Sequence, residues 1–330
     1  MRVFLTGGTG LLGSHLAEEL RRVGSDVVAL HRPGADTIFL EGLGCDLVSG
    51  DVLDKPDVLA PLMAGCTHVV HGAALVYAGG AWPAICAVNV EGTRSVLEAA
   101  AYAGVKHAVH VSSVAVYGTV DGAVTEGDSI NTDLPDDDLY ARSKRLAEVE
   151  ARAVEREQGL PVTVVRPSAV YGERDRLMVP ALADILGRRV VPIFGDGANT
   201  LPVVYAGNVA TAIRLMLEAA EGGHEATYDV GLDYPLTQRD LFTGLATGLG
   251  RSPRYLPLPG SAVRAAVALL LRLGVATPGA KHLPLDRVAR LALGENPYLS
   301  QRIRKHLDWT PTYSHPEALE RSGRWFATLP

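Results

Sequence analysis

The chain has 330 residues, 47% of them hydrophobic, with a mean hydropathy of +0.13 and a formal net charge of −6. That is ample apolar material for a core, and the length suits one large α/β domain with a substrate lobe. The acidic balance, with no basic block, argues against a nucleic-acid partner. Cys45, Cys66 and Cys86 are odd in number and lack metal-ligand spacing, which fits a reduced, cytoplasmic protein without a metal site.

The first element is an apolar strand, Met1-Arg-Val-Phe-Leu5, whose apolar run is too short for a secretory signal. Thr6-Gly-Gly-Thr-Gly10-Leu-Leu-Gly13 follows at once, and Ser14–Arg22 reads as a helix. A glycine-rich turn between a buried strand and a helix N-terminus is suited to a pyrophosphate. Backbone N–H groups of Thr9, Gly10, Leu11 and Leu12 and the positive end of the helix dipole would face the anion. Gly7, Gly10 and Gly13 would let it come close.

Further strand-like runs fall at residues 27–30, 47–49, 69–71, 108–111 and 162–165, with helical stretches at 12–23, 58–63, 87–103 and 141–158. This alternation predicts a doubly wound parallel sheet with helices on both faces, a Rossmann fold. Ligands of such sheets sit beyond the carboxyl ends of the strands. That rule singles out Thr6–Gly13, His31–Arg32, Asp51, Gly72–Ala74, Ser112–Ser113 and Pro167–Ser168.

Tyr140-Ala-Arg-Ser-Lys144 places a phenol and an ammonium four apart on one helix face. A phenol titrates near pH 10, roughly three units too high for proton transfer near neutrality. A positive charge at about 4 Å supplies about 4 kcal/mol at an effective dielectric of 20, which is nearly the shift required. Tyr102-Ala-Gly-Val-Lys106 matches the same spacing but straddles Gly104, an expected helix end, so its side chains would not share a face. Ser113, at the end of a buried strand, can donate to the same substrate oxygen as Tyr140.

After Gly172 the texture changes. Residues 173–202 are Arg-rich and interrupted by Pro, and Val203–Glu221 reads as a strand and helix returning to the first domain. The chain from 222 to 330 is mainly helical, ending in a helix at 316–326. The expected division is a dinucleotide-binding domain of residues 1–172 joined by 203–221, with a substrate lobe of 173–202 and 222–330. The apolar stretch 262–276 carries Arg264 and Arg272 and is too short to span a bilayer; a buried or interfacial helix is expected.

Taken in order, Thr6–Gly13, Gly50-Asp51, His71-Gly-Ala-Ala74, Asn89-Val-Glu-Gly-Thr93, Ser113, Tyr140/Lys144 and Arg166-Pro-Ser-Ala-Val-Tyr-Gly172 resemble the extended short-chain dehydrogenase/reductase superfamily. The resemblance implies NAD(P) binding, with Ser113 polarising the substrate, Tyr140 as acid/base, and Lys144 holding the ribose while acidifying Tyr140. It implies further that Asp51 and Val52 approach the adenine and that Gly72, Ala73 and Ala74 border the cofactor. Pro167 and Ser168 would lie near the nicotinamide, and Asn89 would support the cofactor or a bound water. A homodimer through the 87–103 and 141–158 helices would be usual for relatives.

Relatives using NAD carry a carboxylate at the end of the second strand; here Leu30-His-Arg32-Pro33 has none, and Arg32 could fork a 2′-phosphate, favouring NADP(H) over NAD. Nucleotide-sugar enzymes of the superfamily place an asparagine where this chain has Ala169, and an arginine where it has Leu201-Pro202. Val204–Ala210 is instead similar to the 3β-hydroxysteroid dehydrogenase and dihydroflavonol reductase-like branch. The reading is a hydride-transferring oxidoreductase acting on a carbonyl or secondary alcohol of a fairly apolar molecule. The alternatives are a nucleotide-sugar epimerase or dehydratase and, from another class, a non-catalytic dinucleotide sensor, against which the retained Tyr140 and Lys144 speak. Tyr77, Trp82 and Tyr171 are expected at the substrate pocket, with packing as the competing role for each.

Overall fold

The computed structural model describes residues 1–76, 81–118, 120, 122–130, 134–135, 138–219, 227–262, 265, 269 and 295–329. Tyr77 and most of the 262–276 stretch lie outside the described residues.

Seven parallel strands form the central sheet: β1 (Arg2–Thr6), β2 (Asp26–His31), β3 (Asp46–Ser49), β4 (His68–His71), β5 (His107–Val111), β6 (Val162–Pro167) and an edge strand at Thr227–Val230. Their spatial order is β3-β2-β1-β4-β5-β6 and then that edge strand. The order reverses between β1 and β4, which opens a crevice at the strands' carboxyl ends.

Both faces of the sheet are covered, so the strands read as near-continuous apolar runs. Alternation along β1 shows how the two faces are filled. Val3 and Leu5 join Leu16 and Leu20 of helix α1 (Leu11–Arg22) and Ile213 and Leu217 of the helix Ala206–Ala219. Phe4 points the other way, into a cluster with Val96, Leu97, Ala151 and Val154 of the helices Gly92–Tyr102 and Leu139–Gln158.

The strand at Thr227–Val230 corrects the expected division of the chain. It was placed in the substrate lobe, but pairs with β6 from Thr227↔Val164 to Val230↔Pro167. The helix Gln301–Leu307 packs against it, burying Ile303 and, just beyond the helix, Trp309 in the same cluster as α1. The strand is four residues long and carries buried Asp229 at its centre, which erased the apolar signature.

The lobe is built around two small parallel pairs, Ala169–Tyr171 with Val203–Tyr205 and Val190–Phe194 with Arg254–Leu258. The helices Met178–Leu186, Gln238–Gly248 and His315–Ala327 pack over them with Leu186, Leu241, Leu245 and Leu319 in one core. Tyr171 belongs to that core. It is 1% exposed and its hydroxyl meets His315 Nδ1 at 2.8 Å, the packing role of the two expected for it.

Candidate active site

The glycine turn lies beyond the end of β1, facing the ends of β4 and β5. Gly7 has φ +75°, and a Cβ there would come within 2.7 Å of the Ala73 amide nitrogen. A Cβ on Gly13 would collide with the Gly7 carbonyl. No other residue could hold this turn so close to its neighbours. Helix α1 starts from Gly10 without a side-chain cap, and Thr9, Leu11, Leu12 and Gly13 are half-buried around the exposed Gly10. A helix N-terminus kept free of its own cap, above a cradle that a side chain would fill, fits a dinucleotide pyrophosphate.

The neighbouring expected contacts fall around the same crevice. Arg32 is exposed just after β2, and its guanidinium has no partner among the described residues. Asp51 accepts from the Leu53 amide at 3.1 Å, closing a tight turn. Val52 turns its side chain inward, against Gly92. Gly72 and Ala73 each donate their backbone N–H to Thr6 Oγ1 at 3.2 Å, which ties the β4 loop to the glycine turn. Pro167 ends β6, and the hydroxyl of Ser168 is spent on the Gly231 carbonyl at 3.2 Å.

Ser113 stands where β5 passes into a 3₁₀ turn, Val114–Tyr117. Its Oγ accepts from the Ala115 amide at 3.2 Å, so its hydroxyl proton remains available to donate elsewhere. The turn is clamped at its far end: Arg145 donates to the Val116 carbonyl at 2.6 Å and Arg166 to the Tyr117 hydroxyl at 2.7 Å.

Tyr140 and Lys144 share a face in the first turns of the Leu139–Gln158 helix, which Asp138 caps by accepting from the Ala141 amide at 3.1 Å. Lys144 is 3% exposed, and its Nζ donates to the Val111 carbonyl at 2.8 Å, next to Ser112 and Ser113. That Nζ lies 6.0 Å from the centre of the Tyr140 ring. At this range a unit charge is worth about 3 kcal/mol at an effective dielectric of 20, still enough to favour the phenolate substantially. The competing pair behaves as its glycine requires. The Gly92–Tyr102 helix stops before Gly104, which has φ +72°, and Tyr102 is left 59% exposed.

Burial lowers Lys144 to about 8, opposed by the nearby Glu148 carboxylate. The ammonium is therefore charged at neutral pH and loses its proton as pH rises through about 8. If the charged form is the working form, kcat/KM will fall above pH 8 and hold below it, since that ratio reports the free enzyme. A pH profile that stays flat to pH 10 would contradict a role for the charge.

Glu148 was not singled out from the sequence, although it lies one helical turn beyond Lys144, the spacing at which side chains meet. It receives both nitrogens of a bidentate Arg166 fork, at 2.8 and 2.6 Å, and the Ser112 hydroxyl at 2.5 Å. Tyr117 completes the set by donating to Asp229 Oδ2 at 2.8 Å, and burial raises Asp229 to about 7. Asn89 sits on a single π-helical turn, Ala87–Glu91. Its amide grips both backbone polar groups of Leu75 and the Ser143 hydroxyl, so it braces the site. Trp82 opens the short helix Trp82–Cys86, half-buried, with Arg142 stacked 4.5 Å over its ring. Among the described residues no cluster of His, Cys, Asp and Glu could hold a metal, and no helix is long and apolar enough to cross a membrane.

A doubly wound sheet with an uncapped glycine turn, a serine at a neighbouring strand end and a tyrosine and lysine on the helix beside it defines an enzyme of the extended short-chain dehydrogenase/reductase type. Comparison with known families makes this specific: residues 3–231 match the NAD dependent epimerase/dehydratase family, and the chain belongs to it. It is 29% identical over 322 residues to the 4-hydroxy-2-methyl-3-oxo-4-farnesyl-3,4-dihydroquinoline-1-oxide ketoreductase of Stigmatella aurantiaca, covering 97% of this chain and 95% of that one. It is 27% identical over 353 residues to the 3beta-hydroxysteroid-dehydrogenase/decarboxylase isoform 2 of Arabidopsis thaliana, covering 98% of this chain and 62% of that protein. Among solved structures, DesIV, the dTDP-glucose 4,6-dehydratase of Streptomyces venezuelae with NAD and TYD bound, superposes with a TM-score of 0.73. The identity is 26%, covering 99% of this chain and 97% of that one.

Proposed function

We propose that this chain is an NADP(H)-linked oxidoreductase that interconverts a carbonyl and a secondary alcohol on a fairly apolar small molecule. The observation that carries the reading is the pairing of a buried, charged Lys144 under Tyr140 with a Ser113 whose hydroxyl proton is unspent. Tyr140 would give its proton to the substrate oxygen in reduction and take it back in oxidation. Ser113 would donate to the same oxygen and draw off its developing charge. Lys144, anchored on Val111, would favour the phenolate left on Tyr140 and offer its remaining N–H groups to the cofactor ribose. With the cofactor's pyrophosphate on the glycine turn, its nicotinamide would supply or accept the hydride.

An apolar substrate is supported by the ketoreductase and hydroxysteroid dehydrogenase relatives, whose names specify a farnesyl-bearing dihydroquinoline oxide and a hydroxysteroid, each with a large hydrocarbon part. The likeness to DesIV favours a second reading, a nucleotide-sugar dehydratase or epimerase. Against it, Ala169 opens a strand of the lobe and Leu201 is 5% exposed within the lobe core, so neither position offers a sugar diphosphate a polar group.

A panel of apolar ketones and secondary alcohols, assayed separately with NADPH and NADH, tests both substrate and cofactor. Turnover of a ketone with NADPH supports the reading, whereas turnover confined to sugar nucleotides would reverse it. Arg32→Asp should lower kcat/KM for NADPH about tenfold or more, the loss expected for a charge-assisted fork to phosphate, and leave NADH within about twofold. An unchanged NADPH-to-NADH ratio would show that Arg32 does not choose the cofactor.

A further inference from the structure

The cofactor turn and the Tyr140 helix are separated in sequence by more than a hundred residues, yet one hydrogen-bond chain joins them. Thr93 Oγ1 donates back to the Asn89 carbonyl at 2.7 Å, so it must accept from His71 Nε2, 3.1 Å away. His71 therefore carries its proton on Nε2, and its Nδ1 accepts from Thr6 Oγ1 at 2.8 Å. Thr6 Oγ1 in turn accepts the amides of Gly72 and Ala73. At the other end the Leu75 N–H can only donate, so the Asn89 oxygen faces it at 2.7 Å. The Asn89 amide nitrogen is thereby aimed at Ser143 Oγ, 2.9 Å away, and that hydroxyl donates to the Tyr140 carbonyl at 2.8 Å.

The Gly72 N–H is shared between Thr6 Oγ1 and the Thr6 carbonyl, and from Thr6 to Tyr140 every side-chain link runs in the same sense. Thr6, His71, Thr93, Asn89 and Ser143 are each at most 2% exposed, so water cannot substitute for a missing link. Burial, aided by the Lys144 charge, holds His71 down to about 3, which keeps the imidazole neutral and the direction of the chain fixed. A π-helical turn at Ala87–Glu91 brings the Asn89 side chain to Ser143 while its carbonyl serves Thr93.

We infer that Thr6, His71, Thr93, Asn89 and Ser143 form a one-way hydrogen-bond relay that sets the position of Tyr140 against the cofactor turn. This makes His71, Thr93 and Ser143 positioning residues for the acid/base step. The inference rests on Tyr140 being the acid/base, as proposed above, but its test separates the two. The single variants Thr93→Val and Ser143→Ala, their double variant, and Ser143→Thr are compared for kcat, cofactor Kd and thermal unfolding.

Each single change should lower kcat about five- to tenfold, the effect of one lost neutral hydrogen bond, with cofactor Kd within about twofold. Because a chain is cut by its first broken link, the double variant should lose no more kcat than the worse single variant, the non-additivity expected of two residues in one network. Ser143→Thr, which keeps a hydroxyl, should return kcat to within about twofold of the parent. Losses in kcat that multiply in the double variant would overturn the relay, as would singles that lower stability with kcat intact. Turnover surviving in Tyr140→Phe would instead overturn the acid/base reading on which the relay acts.

Discussion

Tyr140→Phe should lower kcat/KM on a carbonyl substrate by about 10²- to 10⁴-fold, the usual contribution of a positioned general acid, and leave cofactor affinity within about twofold. The change removes one oxygen atom. The Lys144 ammonium keeps its bond to Val111, Ser113 keeps its place on the 3₁₀ turn, and the phenylalanine ring fills the same volume. Steady-state kinetics beside a direct titration of NADPH would read the two effects separately. Tyr102→Phe is the matched control, because that phenol is 59% exposed at the far end of a different helix, and it should be kinetically silent. Equal losses in the two variants would mean that Tyr140 is not special.

Breaking the Arg166–Glu148 pair should have the largest effect on stability. The two side chains are 6% and 8% exposed, and the fork is bidentate. Surface ion pairs contribute little, but removing one partner of a buried pair strands the other charge away from water, at about 3–5 kcal/mol. Glu148→Gln leaves the Arg166 guanidinium uncompensated beside Lys144 and also weakens the hold on Ser112, so both stability and activity should fall. Arg166→Met strands the carboxylate and releases the Tyr117 hydroxyl that clamps the Ser113 turn. The double variant Glu148→Gln/Arg166→Met should be more stable than either single variant, because neither member of the pair is left without the other. Urea unfolding of all three would show the ordering, and single variants that lose less than the double would contradict it.

The glycine turn and six of the seven central strands were legible because their signals are local. A buried strand, three spaced glycines and an amphipathic helix in succession admit few other structures. The choice between the two Tyr-x-x-x-Lys pairs was equally local, since Gly104 takes a positive φ that ends the helix under Tyr102. What the sequence hid depends on partners far along the chain. The strand at Thr227–Val230 holds a buried Asp229, and only the pairing with β6 and the Tyr117 hydroxyl make that placement tolerable. For Tyr171 the sequence leaves pocket and packing roles open, because a core tyrosine and a ligand-facing one look alike until the partner, His315, is seen. Asn89 reads as a cofactor ligand by position, but its amide is committed to Leu75 and Ser143. No spacing rule would have joined Thr6 to His71 or His71 to Thr93, as these contacts cross between strands and helices.

Isotope transfer tests the central claim, that this site exchanges a hydride between NADPH and an apolar carbonyl with Tyr140 as proton donor. The protein would be incubated with NADPH deuterated at the transferable position of the nicotinamide and with a panel of apolar ketones, and the products weighed by mass spectrometry. The product alcohol should carry the deuterium, form in step with NADPH oxidation and be lost in Tyr140→Phe. Conversion of a dTDP- or UDP-sugar with no net oxidation of the cofactor, and no deuterated alcohol from any ketone, would contradict it.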